Sequence, residues 1–135
     1  MPEFVVSAVA EAFNARKRCL QDSKILILGV AYKKDVDDLR ESPSLRIMQL
    51  LQARGTRVEY NDPYFPTLPK TRHYDFGLSS VELTPENLAR YDAVLVATDH
   101  SVYDYRDIVR HARLVIDTRN VTRSITEHRE KIVLC

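Results

Sequence analysis

Short, unbroken apolar runs that alternate with segments of helical period constrain this chain more than any other feature. Lys24-Ile-Leu-Ile-Leu-Gly-Val30 is the first run, Asp92-Ala-Val-Leu-Val-Ala97 the second, and Arg113 to Asp117 the third. A sheet with one wet face would show strict alternation of apolar and polar residues. A continuous run of this length reads instead as a strand covered on both faces, the pattern of a parallel sheet. Helical period fills the spaces between. Phe4, Val5, Ala8, Val9, Ala12 and Ala15 mark an amphipathic helix over residues 4 to 20, with Arg16, Lys17 and Arg18 at its cation-favouring end. Ser42 is placed to cap a second helix, with Pro43 at its first position, and Leu45, Met48 and Leu51 set the spacing. Gly55 falls where a left-handed C-terminal cap is expected.

Thr56 to Tyr60 reads as a further strand, stopped by Asn61-Asp62-Pro63, an Asx-type turn. Residues 61 to 78 carry Pro63, Pro66 and Pro69 and read as an irregular surface loop. A brief strand is expected at Ser80 to Leu83. A short helix opens at Thr84-Pro85-Glu86-Asn87, another spans Tyr103 to His111, and Lys131 to Leu134 reads as a last edge strand. The alternation predicts an α/β fold: a doubly wound, mostly parallel open sheet, Rossmann-like, preceded by one helix. That leading helix reads as part of a preceding unit, with residues 19 to 23 as the junction.

Composition narrows the function. At 135 residues the chain fits one core. A net charge of +1 argues against a nucleic-acid backbone binder, though not against a site for one small anion. No apolar run approaches the length of a membrane span, and the N-terminus lacks the pattern of a secretory signal. Cys19 and Cys135 form neither a disulfide framework nor a metal-ligand spacing, so a reducing cytoplasm is the natural compartment. Gly29, Gly55 and Gly77 are the only glycines. A Gly-rich dinucleotide turn or P-loop needs several together, so a phosphorylated ligand would have to be held by side-chain cations.

In doubly wound sheets ligands sit beyond the carboxyl ends of the strands, which directs attention to residues 31–41, 61–65, 98–103 and 118–122. In the first of these Lys33, Lys34 and Arg40 surround Asp35, Asp37 and Asp38. Lys33 and Arg40 suit phosphate or carboxylate. Charge pattern alone favours a merely solvated loop. Arg119, in Asp117-Thr118-Arg119-Asn120, either points into the same crevice or pairs with Asp117 and shapes the turn. His100, after Thr98-Asp99, suits a general base less well than a hydrogen-bonding loop residue. His73, His111 and His128 have no ligand spacing among them, so no metal site is expected. Neither cysteine sits in a nucleophile motif.

The run from Lys24 through Tyr32-Lys33-Lys34-Asp35 and Leu39-Arg40 to Ser42-Pro43 closely resembles the start of the C-terminal domain of the UDP-glucose/GDP-mannose dehydrogenase family. Gly55 to Pro63, Tyr91-Asp92-Ala93 to Thr98-Asp99-His100, and Asp117-Thr118-Arg119-Asn120 match in order. Met1-Pro2-Glu3-Phe4-Val5-Val6 resembles the last helix of the family's middle domain, which divides the chain into residues 1–22 and a nucleotide-sugar-binding domain over 23–135. The resemblance implies oxidation of the C6 alcohol of a UDP-sugar to a carboxylate in two NAD-dependent steps, of the kind that supplies polysaccharide biosynthesis. A cysteine of the middle domain carries the half-oxidised sugar as a thiohemiacetal and then a thioester. It implies that Tyr32 and Lys33 contact the nucleotide sugar and that Arg119 orients the sugar. It also implies that Arg40 lies towards the NAD phosphates.

The family's Gly-rich NAD domain and catalytic cysteine have no counterpart here, so the chain alone is expected to be inactive and to supply no catalytic residue. The full-length enzyme is expected to be a homo-oligomer and this domain by itself a monomer. Ala31 to Lys34 and Leu78 to Thr84 lean towards the branch acting on UDP-N-acetylhexosamines. The competing readings are a phosphoacceptor receiver-like module, suggested by Asp37-Asp38, a stand-alone NAD-binding domain, and an oligomerisation domain.

Overall fold

The computed structural model describes residues 2–40 and 42–135. Met1 and Glu41, which the sequence reading placed in the leading helix and the first loop, lie outside the described residues. Helix α1 spans Pro2–Ala15, followed by β1 (Lys24–Leu28), α2 (Pro43–Ala53), β2 (Arg57–Asn61), α3 (Pro85–Ala89), β3 (Ala93–Val96), α4 (Tyr105–His111), β4 (Val115–Asp117) and β5 (Ile132–Leu134). The five strands form one sheet in the order β2-β1-β3-β4-β5, and every pairing is parallel.

The continuous apolar runs are explained by helices on both faces. Ile25 and Ile27 of β1, Leu95 of β3 and Ile116 of β4 pack with Val5, Val9 and Phe13 of α1 and Met48 and Leu51 of α2. Their sequence neighbours Leu26, Leu28, Val94, Val96 and Val115 point the other way, onto Leu88 of α3, Ile108 and Val109 of α4, and Ala112 just after α4. Successive side chains of a strand face opposite sides, so a strand covered twice must be apolar at every position. Helix α1 shares the core with the sheet: Val5, Val6, Val9 and Phe13 are all buried.

Three local expectations change. The leading helix ends at Ala15 and not at residue 20, so Arg16, Lys17 and Arg18 follow it instead of forming its last turn. Residues 80–83 do not form a strand; the isolated antiparallel bridge nearby pairs Thr67 with Ser79, the residue before them, and the segment runs past the end of β2. Val81 N–H donates to Tyr60 O at 2.8 Å, and the Asn61 side-chain amide donates to Val81 O at 2.7 Å. A side chain thus takes the acceptor that a ladder would use. Ser42 stands at the N-cap of α2 but makes no capping bond. Its hydroxyl donates to Val30 O at 2.6 Å and ties the helix start to the turn after β1. Thr84 and Asp104 do cap, accepting from Asn87 N–H and Asp107 N–H. Gly55 has φ +83, the expected left-handed conformation after α2.

Candidate functional site

Because β1 lies between β2 and β3, the chain leaves β1 in one direction and returns on its other side. That makes the boundary of β1 and β3 the switch point at which strand-end loops diverge. The loops after β1, β3 and β4 therefore lie side by side.

The loop after β1 begins with Gly29 at φ +88. Asp62, buried at the end of β2, reaches across to it: Oδ2 accepts Val30 N–H at 2.8 Å and Ala31 N–H at 3.1 Å. Oδ1 accepts Tyr64 N–H at 2.8 Å, the expected Asx turn. Tyr32 N–H donates to Asp38 O and closes the loop. Asp35, at φ +62, uses both carboxylate oxygens on the loop after β3, accepting Ser101 N–H at 2.7 Å and the Ser101 hydroxyl at 2.6 Å. Those two bonds hold the Asp35 carboxyl below its usual range. Thr98 adds a third tie, its hydroxyl donating to Ala31 O at 3.0 Å.

His100 is fully buried in this junction. Its Nδ1 accepts Asp35 N–H at 2.8 Å, and Nε2 lies 2.9 Å from Asp62 Oδ2. A backbone N–H can only donate, so Nδ1 carries no proton, and the imidazole is the neutral Nε2–H form donating to Asp62. The residue is a hydrogen-bonding member of its loop, as the sequence favoured.

The loop after β4 is organised by Asp117, also buried. Oδ1 accepts Arg119 N–H at 2.9 Å and Val121 N–H at 3.2 Å. Oδ2 accepts Thr122 N–H at 2.9 Å and its hydroxyl at 2.6 Å. Arg119 therefore meets Asp117 through its backbone alone. Its Nε donates to Ala97 O at 3.0 Å, laying the guanidinium across the end of β3. There it lines a cleft of about 420 Å³ with Asp99, Ser101, Asn120, Arg123 and Ser124. Arg129 braces this loop from behind, Nη1 donating to Thr122 O and Ile125 O at 2.8 and 3.1 Å.

Burial pushes the carboxyls of Asp62 and Asp117 up, but their hydrogen bonds outweigh it and hold both below the usual range. The unfolded state thus binds protons more readily than the folded one as acid is added. The stability from these carboxylates is complete above the unfolded value of about 4 and is lost as pH falls through the folded values. The share of the unfolding free energy in urea that these carboxylates supply is expected to be constant above about pH 5 and to decline below about pH 4. Asp62→Asn should flatten that decline.

The sequence-derived residues divide into two groups. Tyr32 and Lys33 are exposed on the loop after β1, and Arg119 is exposed on the loop after β4; the loop after β3 joins the two. No hydrogen bond or ion pair joins Tyr32 or Lys33 to Arg119 among the described residues. Arg40 stands apart. Its guanidinium grips Asp38 with Nε at 3.1 Å and Nη2 at 3.0 Å, and it lines a separate cleft of about 500 Å³ with Leu39, Leu45, Arg72 and Tyr74. Sequence reasoning did not find Asp62 as the hub of the first loop, nor the role of Asp35 and Ser101. The one signal for Asp62 was its place at the end of a strand neighbouring β1.

Comparison with known proteins bears on the family and the fold. The family model described as "UDP-glucose/GDP-mannose dehydrogenase family, UDP binding domain" matches residues 26–124. The UDP-N-acetyl-D-mannosamine dehydrogenase of Methanococcus aeolicus is 29% identical over 89% of this chain and 27% of its own length. The UDP-glucose 6-dehydrogenase of Rhizobium meliloti is 31% identical over 77% of this chain and 24% of its own. Among solved structures, the NDP-N-acetyl-D-galactosaminuronic acid dehydrogenase of Methanosarcina mazei Go1 superposes with a TM-score of 0.76 at 26% identity. It covers 99% of this chain, which covers 28% of it. The chain thus spans roughly a quarter of the length of these relatives.

Proposed function

Since the chain belongs to the UDP-glucose/GDP-mannose dehydrogenase family, as a UDP binding domain, we propose that residues 23–135 hold a UDP-sugar for an NAD-dependent 6-dehydrogenase. Residues 1–22 are the end of the preceding domain in this reading. The longer enzyme oxidises the C6 alcohol of the sugar to the uronate.

The observation that carries the proposal is the preorganised Arg119. Asp117 fixes its backbone and Ala97 O fixes its Nε. Among the described residues no acceptor meets its Nη1 or Nη2, so the outer edge of the fork is available to an anion or a sugar hydroxyl. Charge-assisted bonds of this kind are among the stronger polar contacts. Tyr32 and Lys33 complete the site from the neighbouring loop, as an exposed ring and a point charge. A UDP-N-acetylhexosamine is the favoured sugar class, on the Ala31–Lys34 and Leu78–Thr84 runs. The enzyme acts in the cytoplasm as a homo-oligomer.

NAD is the oxidant in this reading, but the first turn of this chain does not fit it. In a dinucleotide fold the pyrophosphate meets free N–H groups at a Gly-rich turn. Here the Asp62 carboxylate already occupies the N–H groups of Val30 and Ala31 and puts a negative charge where phosphate would come. The same feature argues against a stand-alone NAD-binding domain. NAD belongs to a domain outside this chain, with Arg40 alone reaching towards its phosphates. A receiver-like module is disfavoured because Asp38, one member of the Asp37-Asp38 pair that suggested it, is committed to Arg40.

The test is steady-state oxidation by the full-length gene product. Arg119→Ala is expected to raise KM for the UDP-sugar by about ten- to a hundredfold, the loss of charge-assisted hydrogen bonds, and to leave KM for NAD unchanged. Arg40→Ala is expected to do the reverse. Equal KM values for Arg119→Ala and the unaltered enzyme would refute the assignment.

A further inference from the structure

Asp62, His100 and Asp35 form a continuous hydrogen-bonded chain that runs from the end of β2, through the buried loop after β3, to the exposed loop after β1. Asp62 Oδ2 accepts from His100 Nε2–H at 2.9 Å, and His100 Nδ1 accepts from Asp35 N–H at 2.8 Å. The Asp35 carboxylate returns two bonds to Ser101, the residue after His100. Asp62 and His100 have 1% and 0% exposure, and neither is open to a ligand. Tyr64 and Tyr103 flank the imidazole, with ring centroids at 4.9 and 5.8 Å, so its plane is fixed by packing as well as by bonds.

Tyr32, Lys33 and Lys34, by contrast, are exposed and have no side-chain bond of their own among the described residues. Besides the Tyr32 N–H bond to Asp38 O within the loop, what ties the segment to the rest of the domain is the backbone at either end: Ala31 N–H on Asp62, and Asp35 N–H on His100. One buried pair therefore holds both ends of the three-residue segment that faces the ligand. Asp35 sits at φ +62, and its bonds to Ser101 hold the turn there.

We infer that Asp62, His100 and Asp35 are positioning residues that latch the Tyr32–Lys34 segment in its UDP-binding conformation, without touching the ligand themselves. This rests on the nucleotide-sugar reading above. Releasing the latch leaves Lys33 on a mobile loop, and the ordering cost then falls on binding.

The test combines spectroscopy with titration of the 135-residue chain by UDP. In the unaltered chain, a scalar coupling through the hydrogen bond is expected between the Asp35 amide nitrogen and His100 Nδ1, with His100 in the Nε2–H form. Asp35→Gly deletes the carboxylate while accepting the positive φ. It is expected to weaken UDP binding about tenfold, as is His100→Ala. Asp35→Asn tolerates the same backbone, offers an acceptor to Ser101 N–H, and is expected to restore most of the affinity. Should His100→Ala fail to fold, the exposed Asp35 pair decides alone. An absent coupling, or unchanged UDP affinity in Asp35→Gly, overturns the latch while leaving the UDP site standing. No UDP binding by the unaltered chain overturns both.

Discussion

Gly29→Ala is expected to destabilise the domain by about 3–5 kcal/mol, measured as a shift in urea midpoint, because two penalties coincide. The residue has φ +88, where an L side chain is strained. A Cβ built there would lie 2.3 Å from Thr98 Cβ and 2.9 Å from Thr98 Cα. The second distance is to backbone, so no rotamer change relieves it. Thr98 is fully buried, and its hydroxyl holds Ala31 O. The strand-end loops after β1 and β3 would have to part. Gly77→Ala is the control: φ is +64, but nothing lies within 4 Å of the added carbon. Its cost should be about 1 kcal/mol, the backbone term alone. Equal effects at the two positions would show that the contact of the β1 and β3 loops is not rigid.

Asp117→Ala is expected to cost about 3–5 kcal/mol and to remove UDP binding as well. Its carboxylate is the acceptor for Arg119, Val121 and Thr122 N–H and for the Thr122 hydroxyl. Removing it strands buried donors, which lose their protein partner without regaining full hydration. Asp117→Asn should recover only part of the loss, since its amide group faces donors on one side. Arg119→Ala, on the same loop but exposed, should lose binding with little loss of stability. That contrast separates a residue that builds the loop from one that uses it.

The sheet was legible because burial on both faces leaves a mark in sequence. Ile25 to Leu28 and Ala93 to Val96 have no polar residue to accommodate. Residues 80–83 misled for the same reason: Val81 and Leu83 alternate as a strand would, and both pack on the α3–α4 side. The backbone partner they needed is replaced by the Asn61 side chain, which no local pattern reveals. Ser42 likewise has the right residue in the right place for a cap, and its hydroxyl goes to Val30 O twelve residues back. Tyr32, Lys33 and Arg119 were singled out as the proposed site only through the family resemblance. Charge pattern alone read the first loop as solvated and left Arg119 open between lining the crevice and shaping its own turn. His100 was legible as a hydrogen-bonding loop residue and Asp62 as the turn after a strand, but their pairing was not, since the partners stand 38 residues apart. Long-range pairing of single polar residues has no periodicity to betray it.

The most direct test of the central claim is a chemical-shift titration of the 135-residue chain, with UDP, UDP-N-acetylglucosamine, UDP-glucose and NAD compared at millimolar concentration. The account predicts shifts with every UDP compound, confined to residues 31–35, 99–101 and 118–124, and none of comparable size with NAD. Shifts that follow NAD and cluster at residues 29–31, or no response to any UDP compound, would contradict it.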